Sequence, residues 1–189
     1  MQKIILKYGL IAGGIISVLM LLGTVLWMDS AFHSEYGELI GYTTMIVALS
    51  MIFFGIKSYR DNYHNGTVTF GKGAQIGFLI TAIATVMYAG SWEIALKTQP
   101  KLGNYMEEYT AKYLEKMKAQ GASEAEVQKQ REEMQMWGER YKNPLFRFGM
   151  VMMEILPVGI IITLISAAIL RRKEVLPMPA PAVSNMRSF

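Results

Sequence analysis

Residues 8–28 form a run of 21 positions without one acidic or basic side chain. A helix rises about 1.5 Å per residue and the hydrocarbon core of a bilayer is about 30 Å thick, so about 20 apolar residues suffice to cross it. Three more segments meet that test. Residues 39–56 are also free of charge, residues 73–96 carry only Glu93, and residues 145–170 carry Arg147 and Glu154. Barrel strands would alternate apolar and polar residues over about 10 positions, and these runs are continuous, so the expectation is helix. Composition agrees: 52% of the residues are apolar and 18% are charged, against roughly 25% charged in an ordinary soluble protein. The chain reads as an all-α integral membrane protein with four transmembrane helices, over a membrane domain of residues 1–173.

Lys3 and Lys7 ahead of the first run give it the look of a secretory signal. Its apolar stretch exceeds the usual 7–15 residues of a signal core and no A-x-A site follows, so it reads as a permanent span. Cysteine is absent and only two histidines are present. Disulfides, cysteine zinc sites, iron–sulfur centres and thiol nucleophiles are therefore excluded. No phosphate loop, dinucleotide fingerprint or G-x-S-x-G motif occurs, and the expectation is no cofactor, no metal and no catalytic group.

Orientation follows from Lys and Arg in the short flanks. Lys3 and Lys7 precede span one; Lys57, Arg60 and Lys72 lie between spans two and three; Arg171, Arg172 and Lys173 follow span four. Residues 29–37 have neither Lys nor Arg. Both termini and the middle loop are expected in the cytoplasm, with residues 97–144 outside. That outer segment carries nine Lys/Arg and eight Glu, and a long loop crosses largely regardless of charge. Trp27 and Trp92 end spans one and three on the same outer side, as interfacial anchors. The pI near 9.2 is orientation charge rather than a nucleic-acid footprint.

The outer segment predicts a helical hairpin over about 104–142. Asn104 is placed to cap a first helix, with Met106, Tyr109, Tyr113 and Met117 on one stripe. Gln120–Gly121–Ala122 stops it, and Ser123-x-x-Glu126 is a capping box for a second helix with Val127, Met134, Trp137 and Tyr141 on its apolar face. Asn143–Pro144 starts span four. Such a hairpin cannot bury both faces alone. It is either a lid on its own bundle or a face for a protein partner, formed by Tyr109, Tyr113, Trp137 and Tyr141. Residues 174–189, with Pro177, Pro179 and Pro181, read as a flexible Pro-rich cytoplasmic tail.

The strings Gln120-Gly-Ala-Ser-Glu-Ala-Glu126, Tyr141-Lys-Asn-Pro-Leu-Phe146 and Glu154-Ile-Leu-Pro-Val-Gly159, then Arg171-Arg172-Lys173, resemble a family of small bacterial membrane proteins known only as a domain of unknown function, number forty-one ninety-nine. Phe70-Gly-Lys-Gly73 and Tyr8-Gly9 are similar to that family too. The resemblance spans nearly the whole chain to Lys173. It implies a bacterial inner-membrane protein with four spans, and no activity, substrate or catalytic residue.

Glu154 is the foremost polar candidate inside the membrane. A charge at the centre of a span costs roughly 2.5–3.5 kcal/mol on insertion scales, so this side chain is expected to face the bundle interior or be protonated. Pro157 leaves the Met153 carbonyl without its amide donor and is expected to kink the helix. Two readings stand: an ion or proton site at the kink, or a hydrogen-bonded fastener to Thr43, Thr81 or Thr85. Glu93 is expected to pair with Lys97 at i+4, and Glu38 to open span two as a favourable helix N-terminal charge. His33, Asp29 and Glu35 have no spacing that would fix a metal, and His64 adjoins the turn at Asn65–Gly66. Gly9/Gly13, Gly37/Gly41 and Gly73/Gly77 each place two glycines one turn apart, which lets helices approach closely in lipid. The leading expectation is a non-enzymatic membrane component that works by packing or by partner interaction, through the hairpin or as a homo-oligomer through glycine-lined spans. The alternative is a small transporter or proton-coupled protein using Glu154.

Overall fold

The structure, a computed structural model, describes residues 1–26, 31–63, 66–99, 102 and 104–171. Trp27, Asp29, His64, the Arg172–Lys173 pair and the tail at 174–189 lie outside the described residues. Seven helices follow in order: α1 (Gln2–Leu26), α2 (Ala31–Leu49), α3 (Met51–Tyr63), α4 (Phe70–Thr98), α5 (Tyr105–Ala119), α6 (Glu124–Tyr141) and α7 (Pro144–Leu170). No strand occurs among the described residues. α1, α2 with α3, α4 and α7 supply four segments long and apolar enough to cross a membrane.

Helix ends lie beyond the apolar runs. α1 starts at Gln2 rather than near Tyr8, and α2 starts at Ala31, so Glu38 lies inside α2 and not at its opening. The cause is propagation: once a helix exists, each added residue gains a backbone hydrogen bond, and polar flanks do not stop it. Thr69 supplies a start signal for α4, its side chain accepting from the Lys72 amide at 3.3 Å. Span two is interrupted at Ser50, whose hydroxyl donates to the Val47 carbonyl at 2.6 Å while the Phe53 amide turns back to the Ser50 carbonyl. A serine that bonds its own preceding turn bends helices in this way.

α4 lies between α1 and α7, and glycines set both approaches. A Cβ on Gly9 would meet Ile83, and one on Gly13 would meet Met87, so α1 and α4 rise together. Against α7 the order reverses: Gly73 faces Ala167, Gly77 faces Thr163, and Thr81 faces Gly159. In this antiparallel seam Gly77 and Gly159 each receive a threonine from the opposite helix, and Gly73 receives an alanine. The Thr81 and Thr163 hydroxyls meet at 3.4 Å, and Thr81 also donates to the Gly77 carbonyl at 2.9 Å. A Cβ on Gly77 would sit 2.5 Å from the Thr163 methyl. Gly55 on α3 lets Ile80 in from the other side of α4. Ile16, Leu49, Ile52, Ile56, Ile76, Ile80 and Ile155 fill the interior, while Leu10, Val18, Ile46, Phe54, Val86 and Ile161 face outward as a lipid belt. Gly41 has open space at its Cβ, so it serves no close contact among the described residues.

Overpacking a tight interior costs typically 1–3 kcal/mol. Gly77→Ile is therefore expected to lower the thermal unfolding midpoint in detergent. Gly90→Ala, where nothing lies within 4 Å, should leave it unchanged or raise it. Equal effects would remove the glycine–threonine seam as the reason for the packing.

Candidate functional site

Where α4 and α6 end and α7 begins, four side chains lock the helix pair α5–α6 to the bundle. Arg147 donates from Nε to Glu93 Oε1 at 2.7 Å and from Nη2 to Oε2 at 2.6 Å, a fork on a carboxylate. Its Nη1 donates to the Tyr141 carbonyl at 2.9 Å, and the guanidinium lies over the Tyr141 ring. Trp92 Nε1 donates to the Tyr141 hydroxyl at 2.6 Å. Glu93 thus pairs with Arg147 and not with Lys97. The fork satisfies both carboxylate oxygens, which a lysine point charge cannot do. Trp137 packs at a tilt against Phe146 with Arg140 over its ring, adding an apolar contact between α6 and α7.

This anchorage sorts the aromatic residues of the helix pair. Tyr141 and Trp137 serve the junction, Tyr141 half-buried and Trp137 44% exposed. Tyr109 and Tyr113 stack on each other at 6.3 Å and are 44% and 40% exposed. Among the α5 side chains described, Leu114 is the buried one, and Val127 is buried on α6, while Tyr109 and Tyr113 are exposed. Between α5, α6 and the adjoining end of α4 lies a cleft of about 1200 Å³. Leu96, Leu102, Leu114 and Met134 give it an apolar lining, and Glu107, Lys118, Arg131 and Glu132 give it both signs of charge.

Local capping fixes the helix pair. Gly121 closes α5 at φ 87°, a left-handed conformation that costs glycine nothing. Ser123 then starts α6 with a complete capping box: the Ser123 hydroxyl and amide donate to Glu126 Oε2 at 2.7 and 2.8 Å, and the Glu126 amide returns to the hydroxyl. The Ser123 hydroxyl and amide bonds hold the Glu126 carboxyl below its ordinary value of 4.5. Asn104 stands at the α5 start without a side-chain cap bond, its backbone being turned away from the extended conformation that capping needs. Asn143 does cap α7, accepting from the Leu145 amide at 2.9 Å, with Pro144 in the first turn. The Glu139 carboxylate bonded to Lys142 raises that ammonium above its usual value.

Glu154 does not face the interior. α7 buries Val151, Ile155, Gly159, Thr163 and Ala167, a stripe at four-residue spacing whose Gly159, Thr163 and Ala167 meet α4, and Glu154 and Pro157 lie exposed off that stripe. Thr43 bonds its own Leu39 carbonyl, Thr81 bonds Gly77 and Thr163, and Thr85 is sealed inside the bundle, so none of the three fastens Glu154. Sequence reasoning also missed Arg60, which is 1% exposed at the end of the bundle that holds Met1. Its Nε donates to Asp61 at 2.8 Å, and Lys57 bonds the same carboxylate at 2.6 Å. The Ser17 and Thr85 hydroxyls are buried without a hydrogen-bond partner among the described residues. His33 and Glu35 fall in the opening turns of α2.

A family model described as "Protein of unknown function (DUF4199)" matches residues 7–172, and the chain belongs to that family. No curated protein and no solved structure matches it significantly.

Removing one partner of a buried ion pair costs about 3–5 kcal/mol, and less where the pair is partly exposed as here. Arg147→Ala should lower the unfolding midpoint in detergent more than Arg147→Lys. A double-mutant cycle with Glu93→Gln should return a coupling on the order of 1–3 kcal/mol; additivity would show the pair to be incidental. Because folding depresses the Glu126 pKa, its contribution is present above about pH 4.5 and is lost as pH falls through the lower folded value. Amide-exchange protection in the first turn of α6 should drop on acidification, and Glu126→Gln should remove that step.

Proposed function

We propose that this member of the DUF4199 family is a non-enzymatic component of the bacterial cytoplasmic membrane, and that it recognises a protein partner through α5 and α6 on the extracytoplasmic side. The observation that carries this reading is the outward Tyr109–Tyr113 pair, held on a helix that is itself tied to the bundle through α6 and the Arg147–Glu93 fork. Rigid, amphipathic aromatic side chains supply large contact area at low entropic cost, which is why tyrosine and tryptophan dominate binding hot spots. The neighbouring cleft, apolar at its floor and charged on its rim, suits an inserted side chain from such a partner.

The distribution of charge supports this side of the membrane. Lys3, Lys7, Lys57, Arg60, Lys72 and Arg171 gather at the end opposite α5 and α6, and short flanks rich in Lys and Arg stay in the cytoplasm. The competing reading, an ion-coupled protein working through Glu154, requires that carboxyl between helices; its exposed position on α7 gives that reading no support.

The chain has no cysteine, so single-cysteine variants report cleanly. Glu133→Cys in α6 should react with an impermeant maleimide on intact spheroplasts, and Asn62→Cys should react only after lysis. The reverse pattern would overturn the orientation. A photo-crosslinker at Tyr109 or Tyr113 should capture one discrete protein, while the same probe at Leu114 should not. Adducts confined to the chain's own helices would reduce the α5–α6 pair to a lid.

A further inference from the structure

α1 carries two cations at a level where its neighbours are still apolar. Lys3 and Lys7 are exposed one helical turn apart, on a stripe with Leu6 and Leu10, which are 54% and 53% exposed. Their level follows from the packing of α1 on α4. Gly9 meets Ile83, Gly13 meets Met87, and the Gln99 side-chain amide donates to the Thr24 hydroxyl at 3.1 Å, so one offset of 74 or 75 positions holds along both helices. Lys3 and Lys7 are therefore level with Gly77 and Thr81 of α4, which meet Thr163 and Gly159 of α7. Past that level α7 still turns Ile165 and Ile169 outward, 53% and 39% exposed. Ile169 lies ten residues beyond Gly159, so the apolar belt on α7 runs about 15 Å farther than the level at which α1 presents Lys7.

From this placement we infer that Lys3 and Lys7 bind the phosphate of an anionic phospholipid, held against α1 in the leaflet at that end of the bundle. Four helices apolar enough to span a bilayer put lipid against their outward residues, so lipid is what this flank meets. An ammonium among acyl chains is costly, and its long stem lets it reach a phosphate oxygen instead. Charge selects the headgroup. Among the described residues this end of the bundle has one carboxylate, Asp61, and Lys57 and Arg60 already hold it at 2.6 and 2.8 Å. A zwitterionic headgroup brings its own ammonium to two lysines with no spare carboxylate to receive it, whereas an anionic one brings the phosphate without that cation. The Lys7 ammonium also lies 5.5 Å from the centroid of the Tyr8 ring, an attraction that keeps it beside α1. A second copy would bring the same two lysines to the same depth and be repelled, and free phosphate would have to leave water to reach it. The site uses a different helix from α5 and α6 and the opposite end of the bundle, so it stands or falls separately from the recognition reading.

The test uses the full chain, stripped of lipid in mild detergent and titrated with phosphatidylglycerol or phosphatidylcholine, with bound lipid counted by native mass spectrometry. The parent should take up phosphatidylglycerol more tightly than phosphatidylcholine. Lys7→Gln should loosen phosphatidylglycerol about fivefold, and Lys3→Gln with Lys7→Gln about 25-fold, the value of one and two lysines facing anionic lipid. Binding of phosphatidylcholine should not change. Lys3→Arg with Lys7→Arg keeps both charges and should keep the preference. Lys72→Gln removes a cation at the end of the belt, where Lys72 bonds Gln75 at 2.9 Å, and should cost less than Lys7→Gln. Without lipid, the unfolding midpoint of the double glutamine variant should match the parent, because neither lysine has a carboxylate partner among the described residues. Equal affinity for the two lipids would overturn the site. So would a loss at Lys72 as large as at Lys7, which would leave only a diffuse attraction to the charged rim. A lower lipid-free midpoint in the double variant would make the lysines structural, and displacement of the lipid by equimolar inorganic phosphate would make this a free-anion site; either result overturns the inference.

Discussion

In hydrocarbon, lipid tails compete with side chains for every apolar contact, so helices hold together only where their surfaces approach more closely than lipid can. Here that condition is met along α4. Gly73 and Gly77 admit Ala167 and Thr163, and Gly159 admits Thr81, so two backbones come near enough for dispersion to outweigh lipid solvation. Gly9 and Gly13 do the same for α1. With α4 held on two sides, α3 closes the bundle through Gly55, and the level of every other group in the membrane is set by this stack.

The second organising constraint is where polar groups find partners. At one rim the Arg147–Glu93 fork, the Tyr141 carbonyl and hydroxyl, and Trp92 satisfy one another and fix how α6 leaves the bundle. At the other rim Arg60 is sunk to 1% exposure with Asp61 and Lys57 beside it. Both clusters lie near the ends of the apolar helices. Glu154 breaks the pattern, being both inside the apolar depth and turned away from its own bundle. The helical packing is thus closed, while among the described residues the Ser17 and Thr85 hydroxyls inside the bundle and the exposed Glu154 carboxyl make no side-chain hydrogen bond.

Much of this architecture was legible in the residues. Uninterrupted charge-free runs identify spanning helices because only helices and closed barrels satisfy their backbone in lipid and these runs do not alternate as barrel strands do, and the Ser123–Glu126 box and Asn143–Pro144 start mark helix beginnings by local chemistry alone. Span ends were less legible, since helices such as α1 and α2 continue past the apolar run for reasons of backbone cooperativity. The fork between Glu93 and Arg147 joins residues 54 positions apart, and local spacing favoured the nearer Lys97. Glu154 was misplaced because a lone carboxyl carries no phase. Its side of the helix is decided by the stripe Val151, Ile155, Gly159, Thr163, Ala167, whose small residues at four-residue spacing were present in the sequence and are the sign that could have located the seam.

The α4–α7 register is the claim on which the remaining geometry stands, and a disulfide measures it directly. A Cβ at Gly73 would lie 3.1 Å from the Ala167 Cβ, within reach of a cystine, whose β-carbons are about 3.5–4.5 Å apart, after a few tenths of an ångström of relaxation. Since the chain has no cysteine of its own, Gly73→Cys with Ala167→Cys should close an intramolecular disulfide in native membranes, and Gly73→Cys with Thr163→Cys, one turn out of register, should stay reduced. A bridge in the second pair and none in the first would contradict the packing described above.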